Sequence, residues 1–306
     1  MNRLNYEKVF KTLVEETGNY LVNHSLRAMV LGVSGGIDST VVAAICCEVN
    51  KQTNIPLIGR SLPIKNKKDE FDVSKLVGEA FCNNFDVANL YDEYKCFLSG
   101  LVWREERIDL LDDTETMHPE KSKQQTLIAN GNIQARLRMI YLYNLASIHN
   151  GLVMSTDNQT EYQLGFWTIH GDVGDFDPIQ DLWKTEVYEL AKWISNHYKN
   201  IEHHHTIMTG AGSKSDAIEL SIALTPTDGL GISNSDLDQI GAKSYNDVDR
   251  VLQTLVCPAS PENDRVQDAL TVEIGPEIID KIIKRRRNSR FKREKSPIYI
   301  SRERYE

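Results

Sequence analysis

The stretch that most constrains this chain is LGVSGGIDST, residues 31–40. Val30, Leu31 and Val33 read as a short buried strand, and Thr40 through Ile45 read as the opening turns of a helix. Between them Gly35 and Gly36 let backbone N–H groups approach a ligand with no Cβ in the way. A helix N-terminus adds unpaired donors and the positive end of the helix dipole, so the turn suits an anion, phosphate above all. Ser34, Ser39 and Thr40 add hydroxyl donors. Asp38 is the odd member, because a carboxylate repels phosphate unless a cation lies between them, which points to magnesium. The competing reading is a tight strand–helix turn with Asp38 as its cap. No lysine follows Gly36, so this is no Walker A loop, and the adjacent glycines do not fit a dinucleotide fingerprint.

The rest of the chain alternates strands with helices. Apolar spacing predicts one or two amphipathic helices over 4–27, strands at 29–33, 55–62, 85–89 and 151–155, and helices from 39, through 73–81, over 127–149 and over 183–199. MHPEKSKQQ (117–125) reads as a loop. This order argues for an α/β fold, a parallel β-sheet with helices on both faces, whose ligands sit at the C-terminal ends of the strands. With no evident linker or repeat, the expectation is a single domain over 1–306. It would comprise N-terminal helices (1–27), a core (28–200), a flexible loop (about 202–216) and a C-terminal helical part (217–306).

A second concentration of chemistry is STDNQTEYQLGFWTIHGDVGDFDPIQDLWK, residues 155–184. Asp157, Glu161, Asp172, Asp175, Asp177 and Asp181 leave the end of the 151–155 strand, at the sheet edge where the glycine turn would lie. Carboxylates there could share a cation with the phosphates or bind amines and hydroxyls; the alternative is an ordinary acidic surface loop. Gly165, Phe166 and Trp167 among the acids weigh against the second reading.

Composition narrows the class. A net charge of -9 argues against a nucleic-acid partner. No apolar stretch approaches the roughly 20 residues of a membrane span. MNRLNYEKVF lacks the pattern of a signal peptide. The five cysteines, Cys46, Cys47, Cys82, Cys96 and Cys257, form no C-x-x-C pair and fit a reducing cytoplasm. His203, His204 and His205 are consecutive and point in different directions, which suits surface residues better than metal ligands. KRRRNSRFKR (284–293) reads equally as a phosphate-holding patch or a solvated helix end.

These segments, taken in order, resemble one family. Ser34-Gly35-Gly36-Ile37-Asp38-Ser39 is similar to the pyrophosphatase-type loop of the adenine-nucleotide α-hydrolase superfamily. Gly131-Asn132 with Ala135-Arg136 and Arg138-Met139, Ser155-Thr156-Asp157, Glu161, Gly165-Phe166, Gly171-Asp172-x-Gly174, Pro178, Leu182-x-Lys184, Pro226-Thr227, Leu230-Gly231, Tyr245, Lys292-Arg293 and Pro297 resemble the NAD synthetase segments. The likeness runs from about residue 2 to 298.

The resemblance implies a Rossmann-like fold and ATP-dependent amidation of nicotinate adenine dinucleotide (deamido-NAD) by ammonia, through an adenylate, giving NAD, AMP and pyrophosphate. ATP is then a co-substrate and Mg2+ the cofactor, with Asp38 and Glu161 as metal ligands. Catalytic roles fall to Asp172, Lys184 and Asp38. ATP and pyrophosphate would be held by Ser34, Gly35, Gly36, Asp38, Ser39, Thr40, Arg60, Leu62, Thr156, Lys184 and Thr227. Deamido-NAD would be held by Asn132, Arg136, Phe166, Asp172, Asp177 and Lys292. A cytoplasmic homodimer is expected. The roughly 30 residues before the loop are too few for an amidase domain, so ammonia, free or delivered, is the expected donor. This chain departs from the family at Ile37 (usually Gln), Asn158 (usually His) and Phe291 (usually His), and its Gly171–Pro178 loop is one residue shorter. The other readings are a GMP-synthetase-like or tRNA-modifying ligase, or a non-catalytic nucleotide-binding protein; the joint presence of Asp38, Glu161, Asp172 and Lys184 favours an enzyme.

Overall fold

A computed structural model describes residues 4–102, 119–202, 213–225, 236–256 and 269–294. Its elements, in order, are α1 (Tyr6–Asn23), β1 (Ala28–Gly32), α2 (Ile37–Thr53), β2 (Leu57–Ser61), α3 (Lys68–Phe81), β3 (Asn84–Val87), α4 (Tyr91–Val102), α5 (Pro119–His149), β4 (Gly151–Val153) and α6 (Gln159–Leu164). Then follow α7 (Lys184–Glu202), α8 (Lys214–Ala223), α9 (Asp236–Ile240), α10 (Tyr245–Val256), α11 (269–274), α12 (Pro276–Asn288) and a 3₁₀ turn, Arg290–Arg293.

The four strands form one parallel sheet in the order β3-β2-β1-β4. Strand β1 lies central, with Val30 opposite both Ile58 and Val153. The two-residue period of a strand sends alternate side chains to opposite faces. Met29, Leu31 and Val33 enter the main core with α1, α2, α3, α7 and α8, while Ala28 and Val30 meet Ala146 and Leu142 of α5. Helices therefore cover both faces, as the apolar strands require. The C-terminal helices bury a separate apolar cluster, in which Leu164 of α6 meets Val248, Leu252 and Ile282.

The chain turns outward from β1 to β2 on one side and to β4 on the other, so the crevice between β1 and β4 is a topological switch point. The loops leaving these two strands carry the glycine turn and the acidic segment.

Two boundaries differ from the sequence expectation. Helix α5 starts at Pro119, so 119–125 are helical rather than a loop; proline suits a first helical position, and the Glu, Lys and Gln that follow are good helix formers. Lys214–Asp216, expected in the flexible loop, are the first turn of α8, capped by Ser213 Oγ on the Asp216 N–H. Residues 203–212, including the three histidines, lie outside the described residues, as does Cys257.

Gly78 shows how tightly the sheet edge is packed. A Cβ there would stand 2.1 Å from the Phe85 ring of β3. Gly78→Ala is expected to lower stability by about 1–3 kcal/mol through overpacking. Adding Phe85→Ala should return part of that loss, and a double-mutant cycle by urea denaturation with no coupling between the two would contradict the packing.

Candidate active site

The two switch-point loops and α5 enclose a cavity of 840 Å³. On one side is the glycine turn. Gly35 has φ of 84°, a conformation other residues rarely adopt, and a Cβ there would meet Glu70 O at 2.7 Å and Ser74 N at 2.8 Å. The turn is tied from within: Ser34 Oγ pairs with Ser39 Oγ at 2.9 Å and accepts the Gly36 N–H at 3.2 Å. It is also tied from outside, since Ser221 of α8 donates to Gly35 O at 2.7 Å and shares a 2.7 Å hydrogen bond with Thr40 Oγ1. Ser34, Gly36, Asp38 and Ser39 line the cavity. Thr40 does not: it is fully buried, and its hydroxyl also donates to Gly36 O at 2.9 Å. Gly35 shapes the turn without lining the cavity.

At the cavity floor Lys184, the first residue of α7, places its ammonium between two carboxylates. Nζ lies 2.5 Å from Asp38 Oδ2 and 2.9 Å from Glu161 Oε1. Burial works against the charged ammonium, but Asp38, Glu161 and Tyr245 outweigh it and hold Lys184 well above its usual range. Asn158 completes the arrangement. Its Nδ2 donates to Asp38 Oδ1 at 2.9 Å, its Oδ1 caps the Glu161 N–H, and Glu161 Oε2 accepts the Asn158 N–H, a reciprocal capping box that starts α6.

Behind this layer stands Asp249, 1% exposed on α10. Its carboxylate accepts from Thr160 Oγ1 at 2.5 Å and from Thr185 N and Oγ1 at 2.9 and 2.8 Å, while Thr160 Oγ1 accepts the Lys184 N–H at 2.9 Å. Asp249 thus ties the start of α7 to α6, fixing the backbones that carry Lys184 and Glu161. A charged residue between the core positions Val248 and Val251 was the sequence signal that could have found it.

The opposite wall is acidic and aromatic. Asp157, half-buried, and Asp172, open to the cavity, line its wall, and desolvation by the surrounding protein raises both carboxyls. Asp172 accepts the Thr168 N–H at 2.7 Å and is eased by Lys292 and Arg138. Asn132 Oδ1 accepts Thr168 Oγ1 at 2.7 Å. Phe166 carries the Arg285 guanidinium 3.7 Å above its ring centre. Lys292 donates to Gly165 O at 2.8 Å and to Trp167 O. The basic run therefore divides: Arg285 and Lys292 reach the cavity, whereas Arg286 bonds Gln163 Oε1 at 2.8 Å and Arg293 bonds Gln163 O at 2.7 Å as struts.

Arg60, Leu62 and Thr156 also line the cavity. Arg136 does not; its guanidinium bonds Ile169 O at 3.1 Å. Two residues on, Arg138 does, donating to Leu62 O at 3.0 Å and Asn66 Oδ1 at 3.1 Å, and burial pulls it down to about 10. Asp177 lies behind the wall: Oδ1 accepts the Ile179 N–H at 3.1 Å, Oδ2 is buried with no hydrogen-bond partner, and burial pushes the carboxyl up to about 7. Thr227 and Pro297 lie outside the described residues.

The arrangement can hold a polyphosphate on the turn and α2 N-terminus, with a cation at Asp38 and Glu161 and a basic and aromatic surface opposite. Among the described residues no group of three or more metal-binding side chains converges. Two carboxylates facing one cation suit magnesium, which commonly takes one or two protein carboxylates and fills its remaining positions with phosphates and water.

The family model described as NAD synthase matches residues 9–296. The NH(3)-dependent NAD(+) synthetase of Pyrococcus furiosus is 29% identical over 294 residues, covering 96% of this chain and 94% of that protein. Among solved structures, the NMN synthetase of Francisella tularensis superposes with a TM-score of 0.70 at 23% identity, covering 98% of this chain and 100% of the other. The NH3-dependent NAD synthetase of Campylobacter jejuni superposes with a TM-score of 0.64 at 21% identity, covering 97% and 100%. These two likenesses establish the shared fold.

Two outcomes follow from the geometry. Asp249→Ala removes the acceptor of three hydrogen bonds and leaves buried donors unpaired, so unfolding free energy should fall by about 2–4 kcal/mol in urea titrations. Asp177 is raised in the folded protein, so between about pH 4 and its folded value the native state binds a proton that the unfolded chain has released. Its contribution to stability is then present at low pH and lost as pH rises toward about 7. In Asp177→Asn that loss should vanish, so the difference in melting temperature between variant and parent should shift in the variant's favour from pH 4 to pH 8. A constant difference would contradict the assignment.

Proposed function

This chain belongs to the NAD synthase family, and from that premise we propose that it is a ligase that amidates deamido-NAD with ammonia, splitting ATP into AMP and pyrophosphate. The observation that carries the reading is the buried Asp38–Lys184–Glu161 constellation beside a glycine turn at the switch point of a parallel sheet.

The first step joins a nicotinate carboxylate oxygen to the α-phosphorus of ATP as the bond to the leaving pyrophosphate breaks. Ser34, Gly36, Ser39 and the α2 N-terminus offer donors to the pyrophosphate, and Lys184 offers positive charge where negative charge builds. Asp38 and Glu161 would hold Mg2+, which neutralises phosphate oxygens when bound. Arg60 and Leu62, at the end of β2, suit the adenosine portion. Asn132, Phe166, Lys292 and Arg285 suit the dinucleotide, which carries both aromatic and anionic groups. In the second step ammonia attacks the acyl carbon and AMP leaves. Asp172, facing the cavity with its carboxyl raised, can accept a proton from an incoming ammonium once it is ionised.

The reading extends to a cytoplasmic homodimer. Helix α5 exposes Leu127, Ile128, Ile140 and Ile148, apolar area that a second copy could cover. Arg136, outside its own cavity, then becomes a candidate contact to dinucleotide across that interface. The four described cysteines are all free thiols, and among the described residues no helix is long and apolar enough to cross a membrane.

The test is NAD formation from deamido-NAD, ATP, Mg2+ and ammonium, with AMP measured alongside and nicotinate mononucleotide run as the smaller acceptor. NAD and AMP should appear in equal amounts, and glutamine in place of ammonium should yield far less. AMP release with the mononucleotide alone would move the substrate assignment, and no AMP with either acceptor would overturn the reading. Asp38→Ala should lower kcat by about 10³-fold, the scale of losing a positioned electrostatic group, with a folded circular-dichroism spectrum. Near-parental turnover there would remove Asp38 from the metal site.

A further inference from the structure

In the C-terminal half of α2 lies a second cluster that the ligase reaction does not use. Lys214 Nζ, at the first residue of α8, stands 3.1 Å from Cys47 Sγ on α2. Two aromatic faces hold that ammonium in place: the Tyr198 ring centre is 5.1 Å away and the Phe81 ring centre 5.6 Å. Tyr198 is itself anchored, donating to Glu48 Oε1 at 2.7 Å, and Glu48 also pairs with Lys51 at 2.6 Å. Both reactive atoms are thus fixed at contact distance by packing. Cys47 is 9% exposed, open enough for a small oxidant and closed to a bulky one. The neighbouring thiols are worse placed: Cys46 is fully buried, and burial pushes Cys82 up to about 12.

We propose that Cys47 and Lys214 are a redox modification site, at which dioxygen joins sulfur and nitrogen through a single oxygen atom. The step balances. A thiol, an ammonium and one dioxygen give the sulfur–oxygen–nitrogen bridge, one water and one proton released to solvent. The thiol S–H bond and two N–H bonds break, S–O and O–N bonds form, and the second oxygen atom leaves as the water. Sulfur and nitrogen are oxidised together by four electrons, which dioxygen accepts. A dithiol in excess returns the four electrons, restoring thiol and amine and releasing the bridging oxygen as water.

The bridge has a structural consequence. It would fasten α8 to α2, the helix that opens from the phosphate turn, and α8 already reaches that turn through Ser221 on Gly35 O. A covalent tie between segments distant in sequence restricts the unfolded chain, so the oxidised protein should melt at a higher temperature and lose that gain on reduction.

The test is intact-mass spectrometry of the full chain, reduced and then incubated in oxygenated buffer, followed by peptide mapping. The expected product gains one oxygen and loses two hydrogens, maps to a linked pair of peptides carrying Cys47 and Lys214, and reverts with excess dithiothreitol. Cys47→Ser and Lys214→Arg should abolish the product, while Cys82→Ser should retain it. Loss of two hydrogens without oxygen would indicate a disulfide, and gain of oxygen alone would indicate a sulfenic acid. Either result, or an unchanged mass, overturns the proposal on the parental protein, whatever the variants do.

Discussion

Everything at the cavity floor depends on one buried cation. Removing an ammonium from water costs several kcal/mol, and an ion pair offsets this only with good geometry and full hydrogen bonding. Lys184 meets that condition by lying between Asp38 and Glu161, whose remaining oxygens are engaged by Asn158. Each partner comes from a different segment: Asp38 from the turn after β1, Glu161 and Asn158 from the loop after β4, Lys184 from the start of α7. The ion pair can form only if β1 and β4 are neighbours, so the electrostatics of the site and the topology of the sheet require each other. Both carboxylates converge on one ammonium. That arrangement keeps two acids converged in a setting where like charges would otherwise repel.

The supporting structure is tiered. Asp249 ties α6 to α7, and Ser221 ties α8 to the glycine turn. Neither has to touch a nucleotide, and both sit on helices beyond the sheet. The C-terminal helical cluster therefore does more than cover surface: through α10 it sets where Lys184 begins its helix, through α12 it brings Arg285 over Phe166, and through the 3₁₀ turn after α12 it brings Lys292 toward Asp172.

Much of this was legible in one dimension. The glycine turn is readable because its conformation has few residue solutions, and Gly35 adopts a positive φ. The strands are readable because a parallel sheet covered on both faces needs continuous apolar runs. Asp38, Glu161 and Lys184 stand out because charged residues next to buried runs need a reason to be there. Asn158 was legible only in part. It is a departure from the family, and N-x-x-E before a helix is a capping pattern, but that its amide reaches Asp38 only the structure shows. The loop expectation over 119–125 gives way to helix because polar composition does not mark a loop by itself: Glu, Lys and Gln after a proline also suit an exposed helix start.

By itself the sequence determined the alternation of strands and helices, the phosphate turn and the set of charged residues available for chemistry, because these rest on local conformation and periodicity. Only the tertiary structure decided how that set is used. It put Arg138 rather than Arg136 on the cavity, turned Thr40 inward to Ser221, set Asp177 behind the wall, and divided the basic run into Arg285 and Lys292 facing the cavity and Arg286 and Arg293 bracing Gln163. The physical reason is plainest for Arg138, Thr40 and the basic run: whether a side chain faces a ligand or braces the fold depends on which polar groups other elements bring within hydrogen-bond reach, and those partners lie scores of residues away.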